Sequence, residues 1–233
     1  MICGVAAVTA LFARRPDAVR RLFYTEAHRV LVGPWCKRLA AEHKSYRLVE
    51  PADLVELTKT PHHGGVVAEA ERRLLVNFDL AQPPREKFLL VLDGIGNPHN
   101  LGAIARSAAY FSVPALLLAE GQGNAMPSDA AYRTAAGGLE WLDLYRTRDL
   151  PAALDAMRPY YRTVATTLED DAPDITTLPR DRPIALVMGN EERGIAPRVL
   201  ANCRRRVRIP GRGRIQSLNV AQAAAIMIHL LSP

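Results

Sequence analysis

The second half of the chain alternates short, continuous apolar runs with helical segments, and this alternation constrains the fold more than any other feature. The runs Phe88–Leu92, Ala115–Leu118 and Ile184–Met188 are at most five residues long and carry no polar side chain. Strands of this kind are buried on both faces, which is typical of a parallel sheet covered by helices. Asn100–Phe111 and Val220–Leu231 have the apolar spacing of helices. We therefore predict an α/β domain with a mostly parallel sheet.

The first 75 residues predict a separate, small three-layer α/β domain. Helices are expected at 4–14, at 34–43 and from Pro51, with strands at 21–25, 46–49 and 65–70. Residues 76–86 contain two prolines among polar residues, which favours a stiff, extended linker. Residues 87–233 form the second domain, where further strands are expected at 141–145, 163–166 and 207–209.

Composition excludes several classes of protein. With 48% hydrophobic and 23% charged residues, the chain is typical of globular proteins and not of disordered ones. The longest nearly apolar run, residues 220–231, is shorter than the ~18 residues that a membrane span needs. Cys3, Cys36 and Cys203 are scattered and form no CxxC motif, which favours free thiols in a reducing cytoplasm over disulfides or zinc. We expect a cytoplasmic protein without membrane or metal partners.

Positive charge is concentrated in the last 41 residues. From Arg193 onward there are eight arginines and no Asp or Glu, although the whole chain carries a net charge of only +6. Guanidinium groups pair with phosphate oxygens in two-point geometry, so an unmixed arginine cluster favours a nucleic-acid partner. The alternative is a chain that is generally rich in arginine, since arginine supplies 26 of its 30 basic residues.

Ligands of parallel sheets bind at the carboxyl ends of the strands, where three polar, glycine-containing loops fall. The first has the sequence DGIGNPHNLGAIAR, whose glycine spacing matches no dinucleotide or phosphate-loop motif. We expect Asn100 to cap the following helix, and Arg106 to share a helix face with Gly102, whose missing side chain leaves room for a ligand. The alternative is that Arg106 binds a carboxylate and Gly102 packs on the sheet.

The second loop, LVMGNEERG, follows a buried strand that ends near Met188. Gly189 allows a ligand to approach the backbone, and Glu191 or Glu192 can turn inward toward a hydroxyl or an arginine. The alternative is an exposed, charged turn.

The third loop, IPGRGRIQSLN, lies between the basic strand and the last helix. Ser217 or Asn219 can cap that helix, but the loop has more hydrogen-bonding groups than one cap requires. Arg212 and Arg214 add affinity for phosphate. In the first domain, His62 and His63 precede two glycines; neighbouring histidines on an extended chain point in opposite directions, which leaves a turn or an RNA contact by His62 open.

Together, the three loops resemble the three motifs of the SpoU (TrmH-like) RNA ribose methyltransferases of the SPOUT class. The matching positions, in chain order, are Asn100, Gly102, Arg106, Gly189, Glu191, Gly194, Ile209, Pro210, Ser217, Leu218 and Asn219. The segments ICGVAAVTAL and HHGGVVAEAE resemble the small substrate-binding domain that precedes the catalytic domain in many members. The resemblance covers essentially the whole chain.

The resemblance implies a fold and an activity. The catalytic domain is expected to be threaded into a deep trefoil knot, one of the rare exceptions to unknotted topology, and to form a homodimer. The implied reaction is methyl transfer from S-adenosylmethionine to a ribose 2′-hydroxyl of structured RNA, with 23S-type ribosomal RNA favoured over transfer RNA. A non-catalytic RNA-binding relative and a base methyltransferase of the same class remain alternatives.

The family's residue roles carry over to matching positions. Arg106 is implied to be catalytic, with Asn100, Glu191, Ser217 and Asn219 in support. The cofactor is implied to contact Met188, Gly189, Ile209 and Leu218. Expected RNA contacts are Arg193, Arg212, Arg214 and His62. Because a guanidinium stays charged above a pKa of ~12, we expect Arg106 to stabilise an alkoxide and grip a phosphate, while another group or water takes the proton.

The chain departs from the family pattern after Gly189, where Asn190 replaces a common Ala or Gln, and at Gly211, where Met or Leu is common. Both differences fall in the regions expected to bind the cofactor and the RNA, and neither replaces a matched catalytic residue. The chain begins directly on the first element of the small domain, which leaves a longer native N-terminus open.

Overall fold

A computed structural model describes residues 1–121, 123–211 and 213–232, and the first part of it is the small α/β domain. Its strands are β1 (Ile2–Cys3), β2 (Val19–Tyr24), β3 (Ser45–Leu48) and β4 (Val66–Ala70), and its helices are α1 (Val5–Arg14), α2 (Arg29–Ala41) and α3 (Pro51–Thr58). The sheet order is β1-β4-β2-β3, in which only β2 and β3 pair in parallel.

This sheet separates two apolar layers, because neighbouring side chains of a strand point to opposite faces. Leu22 faces α1 and α2 and packs with Leu11 and Leu39, whereas Phe23 faces α3 and packs with Leu54. The predicted three-layer α/β arrangement is confirmed.

Two features of the small domain differ from the sequence prediction. Helix α2 begins at Arg29 and not at Pro34, which lies inside the helix. Buried Val32 and Leu39 are two turns apart on one face, so packing of that face extends the helix to both sides of the proline. The two-residue strand β1 is too short for a periodic signal and was not predicted.

The larger domain is built on a seven-stranded sheet in which every pairing is parallel. Its strands are β5 (Val76–Asn77), β6 (Phe88–Leu92), β7 (Ala115–Ala119), β8 (Asp143–Thr147), β9 (Arg162–Thr166), β10 (Ile184–Met188) and β11 (Arg205–Val207). Its helices are α4 (Pro98–Tyr110), α5 (Asp129–Ala135), α6 (Gly138–Trp141), α7 (Leu150–Met157), α8 (Pro197–Leu200) and α9 (Val220–Leu231). The strand order is β11-β9-β10-β6-β7-β8-β5.

Helices cover both faces of this sheet, as the unbroken apolar strands predict. Leu90 and Leu92 of β6 pack toward α4, α5, α6 and α9, while Leu89 and Val91 pack toward α7 and α8. The predicted α/β class with a mostly parallel sheet is confirmed. Within the described parts of the chain, no helix is long and apolar enough to cross a membrane.

Two predicted strand boundaries in this domain are wrong. Trp141 belongs to α6, and the strand expected at 141–145 lies at Asp143–Thr147. The last strand ends at Val207 and not at Ile209, because Arg208 leaves β9 and pairs with Asp174. The predicted linker begins with β5, and Phe78 is buried in the core of the larger domain, so packing overrides the local polar composition there.

Candidate functional site

The first and second loops leave the sheet side by side, because β6 and β10 are neighbours in parallel register. Leu92 pairs with Met188, so both strands end at one level. The Asp93 backbone N–H donates to the Met188 carbonyl over 2.9 Å, and the Asp93 carboxylate accepts from Ala196 N over 2.8 Å. Burial raises the pKa of Asp93. The aspartate therefore ties the start of the first loop to the end of the second.

The second loop closes tightly on itself around Gly189 and Asn190. A Cβ at Gly189 would lie 2.4 Å from Gly194 C and from Ile195 N, so a side chain has no room there. The Asn190 backbone exchanges two hydrogen bonds with Gly194, and its Oδ1 accepts from the backbone N–H groups of Glu192 and Arg193. Its Nδ2 donates to the Gly94 carbonyl over 2.8 Å. The residue that departs from the family pattern thus builds the turn that carries Glu191.

Three side chains from three separate loops meet in one cluster, which we call the polar junction: Asn100, Glu191 and Asn219. Asn100 Nδ2 donates to Glu191 Oε1, and Asn219 Nδ2 donates to Asn100 Oδ1 over 3.2 Å. The structure therefore brings together residues 119 positions apart in the sequence.

Asn219 also caps α9, since its Oδ1 accepts from Ala221 N over 2.9 Å. The expected cap of α4 is wrong: Asn97 Oδ1 accepts from His99 N, and Asn100 lies in the first turn of the helix. Pro98 at the first helical position starts α4 earlier, and this shift frees the Asn100 amide for the junction.

Arg106 lies on α4 with an exposed side chain. Among the residues that the structure describes, it has no hydrogen-bond or ion-pair partner, so the alternative of an arginine bound to a carboxylate is not met. The space expected beside Gly102 is occupied, however, because a Cβ there would lie 2.5 Å from the Ala131 carbonyl oxygen of α5. Gly102 therefore serves helix packing, and Arg106 reaches outward past it.

The residues expected to hold the cofactor differ in burial. Met188 is buried at the end of β10, and Ile209 packs in part against the core. Leu218 is 48% exposed, and Ser217 is exposed without a hydrogen-bond partner in residues 1–121, 123–211 and 213–232. An apolar side chain exposed beside a polar cluster is a surface that a partly apolar ligand can cover.

The residues expected to bind RNA are exposed where the structure describes them. Arg193, Arg214 and His62 are exposed, whereas Arg212 lies outside the described residues. His63 is buried, and its Nδ1 accepts from Gly65 N, so only His62 of the two is exposed to a partner.

In the folded chain, acidic residues from another segment lie beside some arginines of the tail. Arg206 pairs with Glu169 at 2.8 Å, and Arg208 pairs with Asp170 at 3.2 Å. Acidic residues from an earlier loop thus neutralise part of the tail, and the free positive charge is smaller than the sequence count indicates.

Sequence reasoning missed Asn124, which lies in the loop after β7. Its Oδ1 accepts from Gly94 N over 2.8 Å, so a fourth loop holds the same residue of the first loop whose carbonyl Asn190 binds. The sequence signal that could have identified Asn124 is its position among glycines just after a buried strand.

Comparison with known proteins decides the family. The model of the SpoU rRNA Methylase family matches residues 87–229, and a model for RNA 2'-O ribose methyltransferase substrate binding matches residues 1–74. The chain belongs to the SpoU rRNA methylase family. The family predicted from the three loops is therefore confirmed, and with it the class of enzyme, an RNA methyltransferase.

Relatives within the SpoU family match across nearly the whole chain. The 23S rRNA (guanosine-2'-O-)-methyltransferase RlmB of Acinetobacter baylyi is 31% identical over 97% of this chain and 94% of its own length. The uncharacterized tRNA/rRNA methyltransferase YfiF of Escherichia coli O157:H7 is 30% identical over 97% of this chain, which spans 66% of that longer relative.

Solved structures of methyltransferases also match nearly the whole chain. The SpoU methyltransferase AviRb of Streptomyces viridochromogenes, in complex with AdoMet, is 26% identical and covers 99% of this chain and 88% of its own, with a TM-score of 0.77. An rRNA methyltransferase from Sinorhizobium meliloti, 23% identical, covers 97% of this chain and 83% of its own, with a TM-score of 0.78, which shows the shared fold.

Proposed function

We propose that this protein transfers the methyl group of S-adenosylmethionine to a ribose 2′-hydroxyl of structured RNA, of the 23S ribosomal type. The observation that carries the proposal is the polar junction, in which the side chains of three separate loops meet at the edge of the sheet. Asn100 of this junction lies on the same helix as Arg106, which is exposed and has no partner among the described residues. RlmB relatives that are named for 23S rRNA favour this RNA class.

The proposed cofactor site lies between the second and third loops. Met188 and Gly189 are buried where β10 enters its compact turn, and Ile209 and half-exposed Leu218 offer apolar surface for an adenosine. When bound, S-adenosylmethionine supplies an electrophilic methyl group on a sulfonium. Met188, Gly189, Ile209 and Leu218 hold it in this proposal.

The chain's own residues orient the ribose and stabilise charge. Methyl transfer is an in-line displacement, so holding the 2′-oxygen in line with the methyl supplies much of the rate. Arg106 stabilises the developing alkoxide and grips an adjacent phosphate, and a second group or water takes the proton. The junction fixes Asn100, Glu191 and Asn219. Ser217 is exposed and has no hydrogen-bond partner among the described residues, so its hydroxyl is available to the RNA.

RNA binding is assigned to both domains. Arg193, Arg212 and Arg214 contact the RNA backbone near the site, and residues 1–75, including His62, hold a neighbouring RNA element. Residues 76–86 lead from this domain to the catalytic residues 87–233, and the first three of them already pack on the larger domain. Affinity for phosphate contacts of this kind falls as salt rises, and the 2′-hydroxyl distinguishes RNA from DNA.

We assign a knotted, homodimeric, cytoplasmic protein as part of this proposal. Tyr110 is 81% exposed at the end of α4, and Ile226 is exposed on α9, the helix that packs beside it. Exposed apolar groups on two helices that pack together support a surface that a second copy covers.

The direct test is to mix the purified protein with labelled S-adenosylmethionine and RNA from cells that lack this protein. We expect a rise in melting temperature with the cofactor, and label in ribosomal RNA. Label in transfer RNA alone would favour the transfer-RNA alternative. RNA binding without a thermal shift and without label would favour the non-catalytic relative.

A further inference from the structure

The short helix α6 lies between the small domain and the helix that carries Arg106, without room for an additional methyl group on either side. A Cβ at Gly137 would lie 2.8 Å from Ala10 Cβ on α1. A Cβ at the next residue, Gly138, would lie 2.7 Å from the Ala105 carbonyl oxygen and 2.9 Å from Arg106 Cα. Two consecutive glycines thus join α1 of one domain to the backbone of Arg106 in the other.

A buried ion pair joins the domains at the same helix. Glu140 of α6 is 1% exposed, and both of its carboxylate oxygens are bound by Arg15, at the end of α1, over 2.8 and 2.7 Å. These hydrogen bonds raise the pKa of Arg15. Removing a carboxylate from water is costly, and a buried pair recovers that cost only in near-ideal geometry. A pair of this kind is therefore better suited to fixing an orientation than to adding stability.

A second arginine holds both ends of α6. Arg73, in the segment after β4, donates to the carbonyl oxygens of Leu139 and Leu142, the latter over 2.5 Å. Burial lowers the pKa of Arg73. Tyr132 of α5 packs against the apolar cores of both domains beside this group. We call Arg15, Arg73 and Glu140 the interdomain clamp.

We propose that the interdomain clamp consists of positioning residues that set the distance between the RNA element held by the small domain and the ribose that faces Arg106. The clamp touches neither RNA nor cofactor; it acts through α6 on α4. This inference rests on the proposed function. If the clamp sets that distance, it determines both which nucleotide is methylated and the rate of methyl transfer. Displacing a reacting group by about 1 Å can reduce a rate about a hundredfold, so small changes in domain orientation suffice.

The test compares Glu140→Gln and Arg15→Lys with the wild-type protein. Glu140→Gln keeps the shape of the side chain and loses its charge, while Arg15→Lys keeps a charge and loses the two-point contact. Asp155→Asn is the matched control, because it removes the carboxylate of an exposed ion pair with Arg158 within the larger domain. Each protein is titrated with S-adenosylmethionine by calorimetry, which counts folded sites. It is then assayed on ribosomal RNA from cells that lack this protein.

We expect cofactor affinity to stay unchanged and kcat per cofactor-binding site to fall roughly 10- to 100-fold in Glu140→Gln, as for small displacements of a reacting group. Label should also spread to neighbouring nucleotides, seen by mapping 2′-O-methyl groups along the RNA. Arg15→Lys should lie between this variant and the control, and it carries the test if Glu140→Gln fails to fold.

Variants that are only less stable, with wild-type kcat per folded site and the wild-type nucleotide, would overturn the clamp and leave the proposed function standing. A wild-type protein that transfers no methyl group would overturn both.

Discussion

At the scale of single residues, Arg106 matters for its exposed side chain and Gly189 for having no side chain. Arg106 is exposed and unpaired within the part of the chain that the structure describes, so its side chain is available to a ligand. Gly189 acts by lacking a side chain, since the backbone of Gly194 and Ile195 occupies the place of a Cβ. Both positions were singled out in the sequence. Gly189 was expected to let a ligand approach the backbone, whereas the backbone of the same loop fills the space beside it.

For Arg106, we expect Arg106→Ala to lower kcat about 10²- to 10³-fold, the range seen when one charge-stabilising group is removed. Arg106→Lys should recover little of it, because an ammonium lacks the planar fork. Cofactor affinity should stay the same. Arg148→Lys, at an exposed ion pair with Glu120, is the control. Near-full activity of Arg106→Lys would argue against a need for the guanidinium.

Gly189→Ala tests the turn. Adding a methyl group 2.4 Å from backbone atoms forces the loop apart, so we expect a loss of stability of about 1–3 kcal/mol and weakened binding of S-adenosylmethionine. Gly33→Ala is the control for adding a methyl group away from the site: Gly33 lies in α2 with open space around it, so cofactor binding should stay unchanged. Thermal unfolding and calorimetry measure both effects. Unchanged cofactor binding by Gly189→Ala would separate the turn from the cofactor site.

At the scale of secondary-structure elements, the sequence predicted the buried strands best. Phe88–Leu92 and Ile184–Met188 have the predicted bounds, because unbroken apolar runs leave no other placement. Boundaries set by tertiary packing were missed, as where α2 continues through Pro34 and where Phe78 draws β5 into the larger sheet. Local composition carries no signal for contacts between distant segments.

Asn219 at the start of α9 both caps the helix and binds Asn100, and one substitution can separate these two roles. Asn219→Ser keeps an oxygen for the cap but is too short to reach Asn100, so we expect the stability to change by less than about 0.5 kcal/mol and kcat to fall. Asp149→Ser, at the cap of α7, is the control and should leave kcat unchanged. Denaturant unfolding measures the contribution of the cap to stability, and a methyl-transfer assay measures the contribution of the junction to kcat. Wild-type activity in Asn219→Ser would show that the junction does not depend on Asn219.

At the scale of the whole molecule, the sequence predicted the domains' fold classes but not how they meet. Three loops were recognised, yet nothing in the spacing showed that Asn100 bonds to both Glu191 and Asn219. The pairing of Arg15 with Glu140 was also missed, since residues 125 positions apart share no local pattern. Acidic residues that neutralise Arg206 and Arg208 come from a different loop, which explains why tail charge was overestimated.

The proposed homodimer predicts a mass of twice 25.6 kDa by light scattering. Tyr110→Glu should shift the protein toward the monomer, because a carboxylate is costly to bury in an apolar interface. A stable 25.6 kDa species for the wild-type protein at micromolar concentration would contradict the dimer.

The chemical position of the transferred methyl group tests the central claim most directly. Ribosomal RNA labelled by the wild-type protein from S-adenosylmethionine is digested with alkali, which needs a free 2′-hydroxyl to cut. We predict that the label is recovered in alkali-resistant dinucleotides of one RNA class. Label in alkali-sensitive mononucleotides would mean base methylation and would contradict the account.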